Sequence, residues 1–165
     1  MSEKFFELTA FVDEDFANYK LPAMFLGTSK CDGKCYTEKG LPKETCQNCE
    51  LMSIPTLHVP FDTLIKRYMG MHLTKAIVIG GLEPMLTWDE TRDFMEEFRK
   101  VCDDPIVIYT GYYPNEVQDK LDYIKEHIPS VIVKFGRYDP DLKAKFDPIL
   151  GVTLASENQF AEVIS

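Results

Sequence analysis

From residue 60 onward, apolar runs of strand length alternate with segments of helical period, and few folds accommodate that alternation. Phe61, Leu64, Ile65 and Tyr68 keep helical spacing until Gly70. Residues 75–81 are a β-branched run that predicts a buried strand. Thr87 and Glu90 have the spacing of a capping box, and Trp88, Phe94, Met95, Phe98 and Val101 then line one helix face. A third strand is expected over 105–111. Pro114 opens the next helix, with Val117, Leu121, Ile124 and Ile128 as its apolar face. Residues 130–136 and 150–155 predict two further strands, and a short helix is expected from about Glu157. Upstream, residues 23–27 make a short apolar run stopped by glycine, again a strand. Residues 1–22, mixed and acidic, read as an extended lead-in that packs on the body.

Apolar strands joined through amphipathic helices imply repeated βαβ units, right-handed crossovers and a parallel sheet. About five units are too few to close an eight-fold barrel. A partial barrel and an open doubly wound sheet both satisfy the pattern. In either, ligands gather at the carboxyl ends of the strands. The cysteine-bearing loop, Gly80-Gly81, Gly111 and Gly136 all follow strands and are expected on one face.

The chain has 165 residues, 45% of them hydrophobic and 27% charged, which suits one globular domain over 1–165. Its formal net charge of −9 opposes the counterion release that drives nucleic-acid binding, so nucleic acid is not expected as a partner. No apolar window is long enough for a membrane-spanning helix. The first residues lack the basic start and apolar core of a secretion signal, so the expected location is the cytoplasm. There, clustered cysteines are metal ligands or redox groups rather than disulfides.

Four of the five cysteines lie in residues 28–53, a stretch with no clear period. A loop of this length in a compact domain is usually functional or disordered. Cys31-x3-Cys35 and Cys46-x2-Cys49 are separated by ten residues. Thiolates are soft ligands that suit zinc and iron–sulfur clusters alike. Structural zinc usually takes two pairs of two-residue spacing, and only one pair here has it. The loop also springs directly from a strand end, where α/β folds place their chemistry. Spacing alone leaves the two metals open.

After the strand at 75–81 comes Gly80-Gly81-Leu82-Glu83-Pro84. Paired glycines let a backbone approach a ligand closely. Glu83 adds an acceptor for a cationic amino group, and Pro84 stiffens the exit. Alone, such a turn is equally a plain connection between strand and helix.

Together, Cys-x3-Cys after one strand and Gly-Gly-x-Glu-Pro after the next resemble the radical S-adenosylmethionine superfamily. The likeness is closest to the small activating proteins of anaerobic ribonucleoside-triphosphate reductase. Residues 108–112 (IYTGY) and 156–159 (SENQ) resemble further blocks of that family, and the likeness spans about residues 22–162. It implies a partial (β/α) barrel with about five to six parallel strands. It implies a [4Fe-4S] cluster on three cysteines and S-adenosylmethionine on the fourth iron. The activity implied is a radical oxidoreductase that forms a 5′-deoxyadenosyl radical. Its partners would be the large subunit of the anaerobic ribonucleotide reductase, which receives a glycyl radical, and an electron donor such as flavodoxin or ferredoxin.

Carried onto this chain, the resemblance makes Cys31 and Cys35 cluster ligands. The superfamily's usual third cysteine position is occupied here by Glu38, so the third ligand falls to Cys46, with Cys49 as the alternative. Gly80, Gly81 and Glu83 would face the methionine end of the cofactor, with Pro84 beside them in the cofactor-binding set. Tyr36 would pack on the adenine and Asn158 would close the pocket. Two other readings stand beside this one: a radical enzyme acting on a small molecule or peptide, and a non-enzymatic zinc-binding module. His58, His72 and His127 are scattered, and Cys102 reads as packing. No hydrolytic constellation or phosphate loop occurs.

Overall fold

The structure, a computed structural model, describes residues 3–165. Seven strands form one sheet: β1 (Phe5–Asp15), β2 (Ala23–Thr28), β3 (Leu57–Pro60), β4 (Ala76–Gly80), β5 (Ile106–Tyr109), β6 (Val131–Phe135) and, last in the chain, β9 (Phe160–Val163). Their spatial order is β3-β1-β2-β4-β5-β6-β9. The remaining strands, β7 (Lys145–Asp147) and β8 (Val152–Leu154), pair with each other as a separate two-stranded ribbon.

The partial (β/α) barrel of five to six parallel strands expected from the sequence is not what forms. Only β2, β4, β5 and β6 run parallel to their neighbours, in three pairings. The other three pairings, β1–β2, β1–β3 and β6–β9, are antiparallel. The architecture is a mixed α/β sheet with four short helices. Antiparallel strands cap the parallel series at both sides, so the run of βα units ends after four parallel strands instead of wrapping on toward closure. The lead-in is the longest strand of the sheet. Residues 150–155 contribute to the ribbon rather than to a fifth parallel strand. The short helix expected from Glu157 is replaced by β9.

The helices are α1 (Lys34–Thr37), α2 (Phe61–Met69), α3 (Trp88–Arg99) and α4 (Gln118–His127). Asp89 and Glu90 in the first turn of α3 and Arg99 in its last suit the helix dipole. The expected capping box is absent. Thr87 makes no side-chain cap, its hydroxyl lying instead 3.4 Å from the Pro84 carbonyl. Glu90 accepts the Glu7 N–H at 3.3 Å, fastening α3 to β1. Pro114 opens a short 3-10 turn that precedes α4, rather than the helix itself.

Side-chain alternation along the parallel strands sorts two cores. Met24, Leu26, Ile77, Ile79, Ile106, Ile108, Val131, Val133 and Phe135 face α2, α3 and α4. Phe6, Phe61, Phe94 and Phe98 fill that layer, with ring centroids 5.4–6.2 Å apart. Truncating such a buried phenylalanine costs about 3–5 kcal/mol. Ala23, Ala76, Val78 and Val107 face the opposite side, where Tyr19, Leu150 and Leu154 cover them. This second layer is thin, and the cavity described next opens within it. Among the described residues, no helix is long and apolar enough to cross a membrane.

Candidate functional site

The carboxyl ends of β2, β4, β5 and β6 border one cavity of about 490 Å³. Cys31, Cys35 and Cys46 line it together with Gly81, Glu83, Gly111 and Gly136. Its floor includes Phe25, Tyr109 and Lys134, which the two-residue strand period turns away from the helices. A volume of this size accommodates a small-molecule ligand.

Backbone contacts bring the cysteine loop to the glycine turn. The Glu83 N–H donates to the Lys30 carbonyl at 2.6 Å, so Cys31 follows directly on a residue pinned to the end of β4. The Thr28 hydroxyl donates to the Gly80 carbonyl at 3.1 Å. Gly81 has φ +81°, and a Cβ there would lie 2.7 Å from the Gly27 Cα. Only glycine permits both that conformation and that approach. At Gly80 a Cβ would meet the Tyr109 Cβ at 3.0 Å, so its role is room for the cavity floor.

The thiols form a graded set. Burial pushes Cys31 up, against the Gly33 N–H that donates to its sulfur at 3.3 Å. Cys35 and Cys46 titrate as a pair: the Cys35 thiol is pushed up by its neighbour Cys46 and by burial, and the Cys46 thiol is pushed down to about 6 by Cys35, helped by the charge of Lys43. Cys49 opens a 3-10 turn (Cys49–Ser53) and does not line the cavity.

Glu83 is 6% exposed, and its carboxylate is fully engaged by the protein. It accepts the Thr110 hydroxyl at 2.8–2.9 Å, the Gly111 N–H at 2.7 Å and the Met85 N–H at 2.9 Å. Burial pushes its carboxyl up, opposed by those hydrogen bonds and by the Lys134 charge. The sequence assigned Glu83 to a ligand's amino group, whereas its oxygens here organise the turn itself. Lys134, equally buried, donates to the Gly136 carbonyl at 3.1 Å. Burial pushes its ammonium down to about 8, against the pull of Glu83.

The remaining sequence candidates lie around the cavity rather than in it. Pro84 heads the 3-10 turn Pro84–Thr87 and is buried. The Tyr36 hydroxyl points to the Met52 sulfur at 4.0 Å. Asn158 donates to the Arg137 carbonyl at 2.6 Å and to the Tyr113 hydroxyl at 2.9 Å, bracing the segment after β6. Sequence reasoning passed over Thr110, Lys134 and Arg137. Lys134 carried a signal, being a cation within an otherwise apolar strand, on the face shared with Ile132.

Among the described residues, no three His, Cys, Asp or Glu side chains are grouped so as to hold one metal ion. A cluster differs in that its thiolates attach to separate irons. Cys31, Cys35 and Cys46 line one cavity, and Cys49 lies outside it. No protein-family model, curated protein or solved structure matches the chain.

Proposed function

We propose that the chain is a cytoplasmic radical S-adenosylmethionine protein that installs a glycyl radical on an anaerobic ribonucleotide reductase. The observation that carries this reading is the meeting of Cys31, Cys35 and Cys46 with Gly81 and Gly111 in one cavity of ligand size.

Cys31, Cys35 and Cys46 would hold a [4Fe-4S] cluster. Together with S-adenosylmethionine and an external one-electron reductant, such a cluster would supply reductive cleavage of the sulfonium. The chain's own residues provide position and shielding. Cys46 offers a thiolate near neutral pH, so one ligand needs little deprotonation. Gly81 leaves backbone close to the cavity without a side chain in the way. Glu83 holds the Gly111 and Met85 N–H groups, fixing the rim before a ligand arrives. Lys134 puts a buried positive charge beside thiolates and any anionic group that enters. Phe25 and Tyr109 give the floor an apolar surface that limits water.

The test is anaerobic reconstitution with iron and sulfide, followed by S-adenosylmethionine and a low-potential reductant. Formation of 5′-deoxyadenosine is expected, and a glycyl radical signal when the reductase is added. A fully loaded cluster that yields no 5′-deoxyadenosine overturns the reading. So does a colourless protein carrying one zinc per chain. Cleavage without radical transfer to the reductase would shift the substrate to a small molecule or peptide.

A further inference from the structure

The cysteine segment 32–39 contributes Asp32, Lys34 and Cys35 to the cavity wall and is fastened to the β5 and β6 side by side chains. The Tyr112 hydroxyl donates to Asp32. Lys34 lies 3.7 Å from Glu116, and its ammonium sits 4.9 Å from the Tyr112 ring centroid. Glu38 pairs with Arg137 at 3.2 Å, and Lys39 pairs with Asp139. Among the described residues, no backbone hydrogen bond joins 32–39 to the β5 and β6 side. The near end, by contrast, is held by the backbone bond between Lys30 and Glu83. The residue before the segment is held by backbone, whereas the segment's contacts with the β5 and β6 side are made by side chains alone.

Arg137 is the hub of those charges. It also reaches Glu116 at 2.8 Å and the Gly111 carbonyl at 3.1 Å, and its ring neighbour is Tyr113. Its carbonyl is held by Asn158. The arginine is therefore fixed on the strand side and offers its remaining edge to Glu38. Glu38 is half-exposed. Individual pairs of this kind contribute little, but several acting on one short segment bias its position.

We propose that residues 32–39 form a charge-latched lid over the cavity, with Arg137 as the positioning residue that closes it through Glu38. In the cluster-free chain, opening swings Cys35 away from Cys46 and uncovers the cavity, and closing covers it again. The lid follows from the charge pairs alone and does not depend on what fills the cavity.

The test is thiol alkylation of the full, reduced chain without added iron, read residue by residue by mass spectrometry. Two reagents are compared, small iodoacetamide and a bulky maleimide. A changed charge near the sulfur alters both rates alike, whereas an opening lid favours the bulky one. Cys102, at the far end of α3, is the internal reference. Raising salt from about 50 mM to about 0.5 M should raise the maleimide-to-iodoacetamide ratio at Cys35 about two- to fivefold. Glu38→Gln should give that raised ratio already at low salt, and so should Lys39→Met. Both substituted side chains are about half-exposed and each makes a single ion pair, so the fold is kept where Arg137→Gln would lose several contacts at once. An unchanged ratio at Cys35 in both variants overturns the lid. So does an equal rise at Cys102, which would mean general loosening.

Discussion

The carboxylate of Glu83 receives the Gly111 N–H at 2.7 Å, tying the turn after β4 to the end of β5. Two neighbouring parallel strands are thereby locked at their carboxyl ends by one side chain. Replacing it leaves the Thr110 hydroxyl and the Met85 and Gly111 N–H groups without their acceptor. Glu83→Ala is expected to lower stability by about 2–4 kcal/mol, since each orphaned buried donor costs about 1–3 kcal/mol and relief of the buried charge offsets part. Urea unfolding of the two proteins checks this.

Gly81 gives a sharper local test. With φ +81° and the Gly27 Cα 2.7 Å from any added Cβ, Gly81→Ala must shift backbone rather than a side chain. A loss of at least about 1–2 kcal/mol is expected. Differential scanning calorimetry would register it as a lower midpoint, and Gly40→Ala, with open space around it, serves as the milder comparison.

Lys134 makes stability depend on alkaline pH. Its ammonium titrates at about 8 in the fold, below the ordinary lysine value of 10.5. Between those values the unfolded chain binds more protons than the folded one, so stability rises with pH there. Below about pH 8 both states are protonated and the burial penalty is felt in full. Relative to Lys134→Met, the native protein should gain up to about 3 kcal/mol between pH 8 and 10. Parallel urea melts across that range measure the difference, and parallel curves would contradict it.

The cysteines should separate into two groups. Cys31→Ala, Cys35→Ala and Cys46→Ala are each expected to remove most bound iron and sulfide after reconstitution, whereas Cys49→Ala keeps them. Iron and sulfide assays with the visible absorbance of each variant decide it. Retention by Cys46→Ala with loss in Cys49→Ala would reassign the third ligand.

The central strands and the three longer helices were readable because parallel strands buried on both faces appear as unbroken apolar runs. β4, β5 and β6 show this plainly. The flanking antiparallel strands do not. β1 carries Phe5 and Val12 outward and ends in acidic residues, so it lacks a clean alternation. β9 is four residues long and includes Glu162, and a helical reading of such a segment is no worse than a strand. With these strands unread, the pattern allowed a partial barrel or an open parallel sheet, and the barrel came from the family resemblance. At the site, Cys31, Cys35 and the glycine turn were legible from position after strands. That Cys46 rather than Cys49 lines the cavity depends on how the 3-10 turns fold back, which spacing does not encode. The roles of Arg137 and Thr110 come entirely from contacts across the sheet.

All three longer helices pack on one side of the sheet, and the other side is roofed by a narrow ribbon and the strap around Tyr19. The aromatic layer that carries most of the burial is thus remote from the ligand-facing layer. Excursions of the roof need disturb only a minor share of the hydrophobic contacts. Such openings are partial and cost far less than unfolding the whole chain, so a local release of the roof would leave the aromatic layer intact.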